Sequence, residues 1–181
     1  MSRMRSAVGV LLAAGAGTRY GQPKVLAQQG EWLRKAVSAL VDGGCQDVVV
    51  VLGAAVVEVP PTARAVVTAD WAEGMSASVR AGLNAAGTAD LAVLHVVDTP
   101  DVGADVVARV LGAVGSSTSG LCRATYGGRP GHPVVIARRY WASLDSTMRG
   151  DEGARTFLRD SGSVLAVECG DLAAGTDIDE R

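Results

Sequence analysis

The segment from Leu12 to Lys24 combines glycines and two cations in a spacing suited to holding a negatively charged group. Its three glycines let the backbone turn tightly and present consecutive N–H groups to an anion. Arg19 adds a planar guanidinium that matches phosphate oxygens, and Lys24 adds a compact point charge. The segment follows an apolar run, Ala7–Leu12, that is typical of a buried strand. Because nucleotides bind at the carboxyl end of such strands, we interpret the segment as a triphosphate-binding loop.

Two familiar glycine-loop patterns do not fit this segment. A dinucleotide-binding loop carries glycine at its first, third and sixth positions, yet the sixth position counted from Gly15 is Tyr20. The same pattern wants an acidic residue after the second strand, where this chain has Gly53. A P-loop lysine follows glycine, whereas Lys24 follows Pro23. These mismatches disfavour a dehydrogenase and a P-loop enzyme, and they leave a simple strand-to-helix turn as the alternative.

A carboxylate suited to a metal ion follows a second buried run. The apolar stretch Leu91–Val97 is interrupted only by His95, which we interpret as a core histidine, and it ends at Asp98. Since the carboxyl ends of parallel strands share one sheet edge, Asp98 is expected near the glycine loop. Mg²⁺ takes one or two carboxylates and fills its other positions with phosphate and water. The alternative is that Asp98 only starts the turn before Pro100.

Strand-like and helical patterns alternate along the whole chain, which predicts an α/β fold with a mostly parallel sheet. The predicted strands are 7–12, 48–52, 64–68, 91–97, 120–125, 134–137 and 164–168. The predicted helices are 31–40, 76–86, 102–114, 138–144 and 152–160, and residues 126–133 are predicted to form a loop.

Composition bounds the remaining possibilities. The 181 residues suit one domain, and a net charge of −2 disfavours a general nucleic-acid surface. No apolar run reaches membrane length, and the first residues lead directly into a strand, so we expect no membrane segment and no signal peptide. Three distant cysteines, Cys45, Cys122 and Cys169, are interpreted as small buried residues. We therefore expect a cytoplasmic protein.

The glycine segment resembles the opening motif of nucleotidyltransferases related to molybdenum-cofactor enzymes. That motif runs Leu-Ala-Ala-Gly, small residues, Arg, one residue, Gly, two residues, Lys, and residues 12–24 match it except that Tyr20 replaces the usual Met. Many sugar- and cofactor-nucleotide synthases share this motif. The later matches, which favour the molybdopterin cytidylyltransferase branch, are Gly74-Met-Ser-Ala-Ser78, Asp98-Thr-Pro100, Gly131-His-Pro133 and Gly150-Asp-Glu-Gly-Ala-Arg155.

The resemblance implies a fold and an activity. The fold is a single-domain, Rossmann-like three-layer sandwich of the nucleotidyltransferase type over residues 1–181. The activity is Mg²⁺-dependent transfer of CMP from CTP to a phosphorylated acceptor, with molybdopterin favoured. Ala14 favours CTP, because relatives that use GTP usually carry Leu-Ala-Gly-Gly. One alternative is another phosphorylated acceptor. Another is a protein without turnover that binds nucleotide or molybdenum cofactor for insertion into a target molybdoenzyme.

The resemblance also implies nucleotide and metal sites. Arg19, Lys24 and Asp98 are assigned to catalysis, and Asp98 is one metal ligand. The second metal ligand is expected in the tail Gly175–Arg181, which keeps the family's Asp-Ile-Asp but lacks the following Thr-Pro and helix. Asp177 is favoured over Asp179, and a frayed tail that adds little to stability is the alternative. The implied nucleotide-binding residues are Leu12, Ala13, Ala14, Gly15, Gly17, Arg19, Lys24, Ser76 and Ser78.

Finally, the resemblance implies an acceptor pocket bordered by His132 and Arg155. Arg155 has a simpler interpretation as a surface ion pair with Asp151 or Glu152. Ser76 likewise has a simpler interpretation as a helix cap.

Overall fold

The structure, a computed structural model, describes residues 3–180, whose seven strands form one sheet. The strands are β1 (Ala7–Ala13), β2 (Asp47–Leu52), β3 (Arg64–Val67), β4 (Leu91–Val96), β5 (Leu121–Tyr126), β6 (Arg129–Ala137) and β7 (Leu165–Glu168). Their order across the sheet is β3-β2-β1-β4-β6-β5-β7. All pairings are parallel except those of β6. The predicted α/β fold with a mostly parallel sheet is confirmed.

Within residues 3–180, five α-helices cover the two faces of the sheet and complete three layers. They are α1 (Ala27–Asp42), α2 (Met75–Ala85), α3 (Ala104–Ala113), α4 (Trp141–Thr147) and α5 (Arg155–Ser161). Apolar residues of α1 and α3 pack on one face, and those of α2, α4 and α5 pack on the other. Strands β1 and β4 are therefore buried on both sides, which explains why their sequences are apolar throughout except for His95 of β4. Among residues 3–180, no helix has both the length and the apolar character needed to cross a bilayer.

The prediction of a loop over residues 126–133 is wrong. Strand β6 begins at Arg129, and only Gly127 and Gly128 separate it from β5. The turn is held by Glu168, whose carboxylate accepts hydrogen bonds from the N–H groups of both glycines. Glycine and proline made this stretch look irregular, yet Pro130 pairs with Thr125 across the two strands. The Gly-His-Pro motif consequently lies in a strand.

The buried titratable residues match the sequence interpretation. All three cysteines are buried, and burial raises the pKa of Cys45 to about 12. His95 is fully buried, and its two ring nitrogens have no hydrogen-bond partner among residues 3–180. Burial, with a smaller contribution from His132, lowers the pKa of His95 to about 3. His95 is thus a neutral core residue.

Replacing His95 with leucine is expected to weaken the dependence of stability on pH. The unfolded chain protonates this imidazole near its ordinary pKa of about 6.5, whereas the folded chain keeps it neutral down to about 3. Because only the unfolded state gains the proton, wild-type stability falls as the pH drops from about 6.5 toward 3. At about pH 5 the loss from this group is about 2 kcal/mol, at about 1.36 kcal/mol per pH unit.

Denaturant unfolding of both proteins at neutral pH and at about pH 5 measures this effect. His132 remains in both proteins, so its own contribution cancels in the comparison. Equal pH dependence in wild type and His95→Leu would contradict the burial of a neutral imidazole.

Candidate active site

Four charged side chains from distant parts of the sequence meet at the carboxyl edge of the sheet. The Lys24 Nζ lies 2.9 Å from Asp98 Oδ2 and 3.0 Å from Asp179 Oδ1. Asp177 is brought to this cluster by its neighbour Ile178, whose N–H donates to the Asp98 carbonyl oxygen at 3.0 Å. Partial burial, and then the charges of Asp98 and Asp179, raise the pKa of Asp177. One cation and three carboxylates therefore lie together at the expected sheet edge.

Adjacent strands bring the two halves of this cluster together. Strands β1 and β4 are parallel neighbours in which Leu12 pairs with Val96, so both end at the same edge. Asp98 lies two residues beyond the end of β4. The segment after β1, residues 14–24, is called the glycine loop below, and it returns Lys24 to the strand ends. The predicted proximity of the glycine loop and Asp98 is thus a consequence of the parallel pairing.

The glycine loop is held by close backbone contacts. Gly17 has a φ of +62°, and a Cβ there would lie 1.9 Å from the carbonyl oxygen of Gln22. The Gly21 N–H donates to the Gly17 carbonyl at 2.8 Å. Tyr20, the departure from the usual motif, is buried against Trp32 of α1 with ring centroids 5.3 Å apart. Leu12, Ala13 and Ala14 are buried below the loop, whereas Gly15 and Arg19 are exposed.

Lys24 carries its positive charge within this cluster. Partial burial lowers its pKa, but the hydrogen bonds and charges of Asp98 and Asp179 outweigh burial and raise the pKa above its ordinary value. The same contact with Lys24 lowers the pKa of Asp179. The ammonium therefore neutralises carboxylates that would otherwise repel one another.

The tail is docked onto the sheet edge. The Ile178 N–H donates to the Asp98 carbonyl oxygen at 3.0 Å, and the Ile178 side chain packs against the hydrophobic core. The N–H groups of Ala174 and Gly175 donate to Asp101 Oδ2 at 2.8 and 3.1 Å. The alternative of a frayed tail is therefore wrong for residues 174–180, and the small effect of the tail on stability stays a prediction.

The start of α2 is built against the Gly150–Arg155 motif. Gly74, and not Ser76, is the N-cap of α2, so the capping interpretation of Ser76 is wrong. The buried Ser76 hydroxyl instead accepts a hydrogen bond from the Gly153 N–H at 3.1 Å. Asp151 Oδ1 accepts the Met75 N–H at 3.3 Å, where the positive end of the helix dipole favours a carboxylate. Ser78 is buried one residue beyond Ala77 in the same first turn.

Asp151 and Glu152, the two acidic residues expected to pair with Arg155, have other partners, since Asp151 accepts the N–H of Met75. Glu152 accepts the Arg149 N–H at 3.0 Å and the Thr156 hydroxyl at 2.6 Å. Within the described part of the chain, Arg155 forms no ion pair. The interpretation of Arg155 as a surface ion pair with Asp151 or Glu152 is thus wrong.

His132 lies in β6 beside a charged residue that the sequence reasoning missed, Arg123 of β5. Burial and then the charge of Arg123 lower the pKa of His132 to about 4, so the imidazole is neutral at physiological pH. The Tyr126 hydroxyl donates to the His132 carbonyl oxygen at 2.6 Å. A single arginine within the largely apolar sequence of β5 was the available signal for Arg123.

The cluster at the sheet edge fits a divalent metal ion that is shared with a phosphate ligand. No group of three histidine, cysteine or carboxylate side chains within residues 3–180 is arranged to hold a metal ion by itself. Asp98 and Asp177 offer the hard oxygen ligands that Mg²⁺ prefers. A metal ion held by one or two carboxylates leaves its other positions for phosphate oxygens and water.

The comparison with known families decides what kind of protein this is. The profile of the MobA-like NTP transferase domain matches residues 9–165. The chain belongs to the MobA-like NTP transferase family. In this nucleotidyltransferase the matched range includes the glycine loop, Asp98 and the motifs Gly131-His-Pro133 and Gly150-Asp-Glu-Gly-Ala-Arg155.

The similarity to individual relatives covers nearly the whole of this MobA-like chain. Nicotine blue oxidoreductase of Paenarthrobacter nicotinovorans is 38% identical over 185 residues, covering 94% of this chain and 91% of that protein. The Rv0371c homologue from Mycobacterium sp. strain JC1 is 28% identical, with a TM-score of 0.77 over 98% of this chain and 92% of its own. Rv0371c of Mycobacterium tuberculosis H37Rv, solved as a manganese complex, is 22% identical, with a TM-score of 0.75 over 96% and 94%.

Proposed function

We propose that this nucleotidyltransferase moves CMP from CTP to a phosphorylated acceptor, with molybdopterin as the favoured acceptor. The observation that carries the proposal is the cluster of Lys24 with Asp98, Asp177 and Asp179 beside the glycine loop. An anion-binding loop and a pair of metal-ligating carboxylates at one strand edge are what transfer from a nucleoside triphosphate requires.

In the proposed reaction an oxygen of the acceptor phosphate attacks the α-phosphorus of the nucleotide. The bond from the α-phosphorus to its bridging oxygen breaks, and pyrophosphate leaves with the electron pair. The glycine-loop N–H groups, Arg19 and Lys24 bind the departing phosphates and stabilise their growing charge. When bound, a divalent metal ion neutralises phosphate charge and orients the α-phosphate, and Asp98 and Asp177 would hold it. The acceptor phosphate is already an anion, so no general base is needed.

Lys24 has two roles in this proposal. Without nucleotide, its ammonium bridges Asp98 and Asp179 at 2.9 and 3.0 Å, in the place where positive charge is needed. With nucleotide and metal, Asp98 and Asp177 would hold the metal, and Lys24 would turn to a phosphate oxygen. The manganese complex of Rv0371c supports a divalent ion in a protein of this fold.

Lys24→Met is therefore expected to have opposite effects on two affinities. Triphosphate binding should weaken by about 10- to 100-fold, since one charge-assisted contact contributes about 1.5–3 kcal/mol. Binding of Mn²⁺ alone should strengthen, because the ammonium no longer competes for Asp98. Calorimetric titrations with CTP and with Mn²⁺ measure both, and Lys35→Met, which removes an exposed lysine paired with Glu31, is the control. Unchanged CTP affinity would contradict the assignment of Lys24 to the phosphates.

A turnover assay tests the nucleotide donor and the phosphorylated acceptor in the same experiment. Pyrophosphate release is measured with ATP, CTP, GTP and UTP, each with Mg²⁺ and molybdopterin. The proposal expects release mainly with CTP, matched by one nucleotidylated acceptor per pyrophosphate. Turnover only with another phosphorylated acceptor would retain nucleotidyl transfer and reject molybdopterin. Nucleotide binding without any product would favour the alternative of a cofactor-insertion protein.

A second candidate function follows from the name of one relative. Nicotine blue oxidoreductase is 38% identical to this chain, so a redox reaction on a related fold deserves a direct assay. Tyr20 and Gly53 depart from a dinucleotide-binding pattern, which disfavours a nicotinamide cofactor in the glycine loop. Anaerobic reduction of nicotine blue with a reduced nicotinamide cofactor, run beside the pyrophosphate assay, separates the two activities.

A further inference from the structure

Arg123 is a charged residue in the interior of the sheet whose guanidinium the site described above does not use. It lies on β5, which has β6 on one side and β7 on the other. Its register partner is Val134, and paired residues share one face of a sheet. Val134 belongs to the core layer that contains Leu158 of α5. Arg123 therefore projects onto the face covered by α2 and α5.

The guanidinium of Arg123 is poorly satisfied by the protein. One Nη donates to the Gly131 carbonyl oxygen at 3.3 Å. The Nε is buried, and it has no partner among residues 3–180. No carboxylate of the described chain forms an ion pair with Arg123, although other arginines have such partners. Those paired arginines are Arg64, Arg80, Arg109 and Arg159. A buried donor without a partner is unfavourable unless a ligand supplies the acceptor.

The charged residue that influences the pKa of Arg123 is another cation, Arg155. Burial, and then the charge of Arg155, lowers the pKa of Arg123. Arg123 in turn contributes to the lowered pKa of His132. Neither Arg123 nor Arg155 has a carboxylate partner within residues 3–180. Arg123 is partly buried and Arg155 is exposed, and an anionic ligand would relieve the repulsion between two such cations without carboxylate partners.

This pair of arginines lies toward the metal-binding edge of the sheet. Strands β4 and β6 run antiparallel, with Leu94 paired to Val134. Because the two strands run in opposite directions, His132, which precedes Val134 in β6, lies toward the same edge as Asp98, which follows Leu94 in the chain. A ligand held by Arg123 and Arg155 would therefore approach the reacting nucleotide from the β6 side of Asp98.

We propose that Arg123 binds the phosphate of the acceptor through its Nε and one Nη, with Arg155 contacting the same anion. A guanidinium edge offers two parallel N–H groups, which match two phosphate oxygens. The inference rests on the proposed function, because the acceptor phosphate is the attacking group. It goes further by naming Arg123, with Arg155, as the contacts that would select a phosphate monoester over a neutral alcohol.

The first test uses wild-type protein and inorganic phosphate as the probe. The Nε–H resonance of Arg123 is assigned by its loss in Arg123→Lys, and phosphate is then titrated in. The proposal expects this resonance to shift along a saturable curve. A resonance that does not move while phosphate binds elsewhere, or no phosphate binding at all, would overturn it.

The second test compares variants at two arginines. Arg123→Met should weaken phosphate binding at least tenfold, and Arg123→Lys, which keeps the charge but loses the two-pronged edge, should have an intermediate effect. Arg138→Met is the matched control, since Arg138 contacts the Trp141 ring and backbone carbonyls on the surface. Equal phosphate affinity in Arg123→Met and Arg138→Met would overturn the proposal.

The kinetic readout separates this inference from the proposed function. With a phosphorylated acceptor, Arg123→Lys should raise the KM for the acceptor at least tenfold and leave the KM for the nucleotide unchanged. Transfer with an unchanged acceptor KM rejects the role of Arg123 and retains the activity. Loss of phosphate binding in the variants, together with no transfer by wild type, retains the anion site and rejects the proposed function.

Discussion

Asp98→Asn is expected to lower the rate of metal-dependent nucleotidyl transfer at least about a thousandfold, equivalent to about 4 kcal/mol of transition-state stabilisation. The substitution keeps the shape of the side chain but removes the charge that would hold the metal beside the α-phosphate. Nucleotide binding in the absence of metal should change little, because the glycine loop and Lys24 remain. Initial rates of pyrophosphate release and titrations of CTP in a chelator measure the two quantities.

Asp47→Asn is the matched control for this change. Asp47 begins β2 at the opposite edge of the sheet, and its carboxylate pairs with Arg64 at 2.8 Å. Its loss should leave the rate within about twofold of wild type, since exposed ion pairs contribute about 0–1 kcal/mol and Asp47 does not contact the site. An active Asp98→Asn protein would reject Asp98 as a metal ligand and leave it as a turn residue.

The second large effect is expected at Asp177. Asp177→Asn should lower metal-dependent turnover at least about a hundredfold, whereas Asp179→Asn should lower it less than about tenfold. The reason is that Asp177 has no positively charged hydrogen-bond partner of its own within residues 3–180, while Asp179 is already neutralised by Lys24 at 3.0 Å. Point substitutions are better than tail deletion, because Ile178 packs on the core.

Steady-state rates across a series of Mg²⁺ concentrations separate the two aspartates. Asp177→Asn should require more Mg²⁺ for half-maximal activity, and Asp179→Asn should not. The reverse pattern would make Asp179 the second ligand. Normal activity in both variants would leave Asp98 as the only carboxylate that holds the metal.

The central strands were predictable from sequence because their burial is complete. Strands β1 and β4 lie between two helical layers, so every position favours an apolar residue, and the runs are visible without any alternation. The approach of Lys24 to Asp98 then follows from parallel pairing of those two strands. The central strands could therefore be predicted from their apolar residues, and the position of the site could be predicted from the parallel direction of β1 and β4.

Features that depend on long-range contacts were not predictable. The start of β6 looked like a loop because Pro130 and Gly131 disfavour a strand locally. The preceding turn is secured by Glu168, which is distant in sequence. Ser76 looked like a helix cap, yet its hydroxyl partner is the N–H of Gly153. The docking of the tail on Asp98 has no local pattern, since one backbone hydrogen bond and the burial of Ile178 produce it.

The most direct measurement is a crystal structure of the full chain with Mn²⁺ and a non-hydrolysable CTP analogue, using anomalous scattering to locate the metal. The account predicts a manganese peak about 2 Å from carboxylate oxygens of Asp98 and Asp177 and from an α-phosphate oxygen, close to the distances that Mg²⁺ keeps. It also predicts that the Lys24 Nζ leaves Asp98 for a phosphate oxygen. A metal peak away from both aspartates, or nucleotide bound with Lys24 still bridging Asp98 and Asp179, would contradict it.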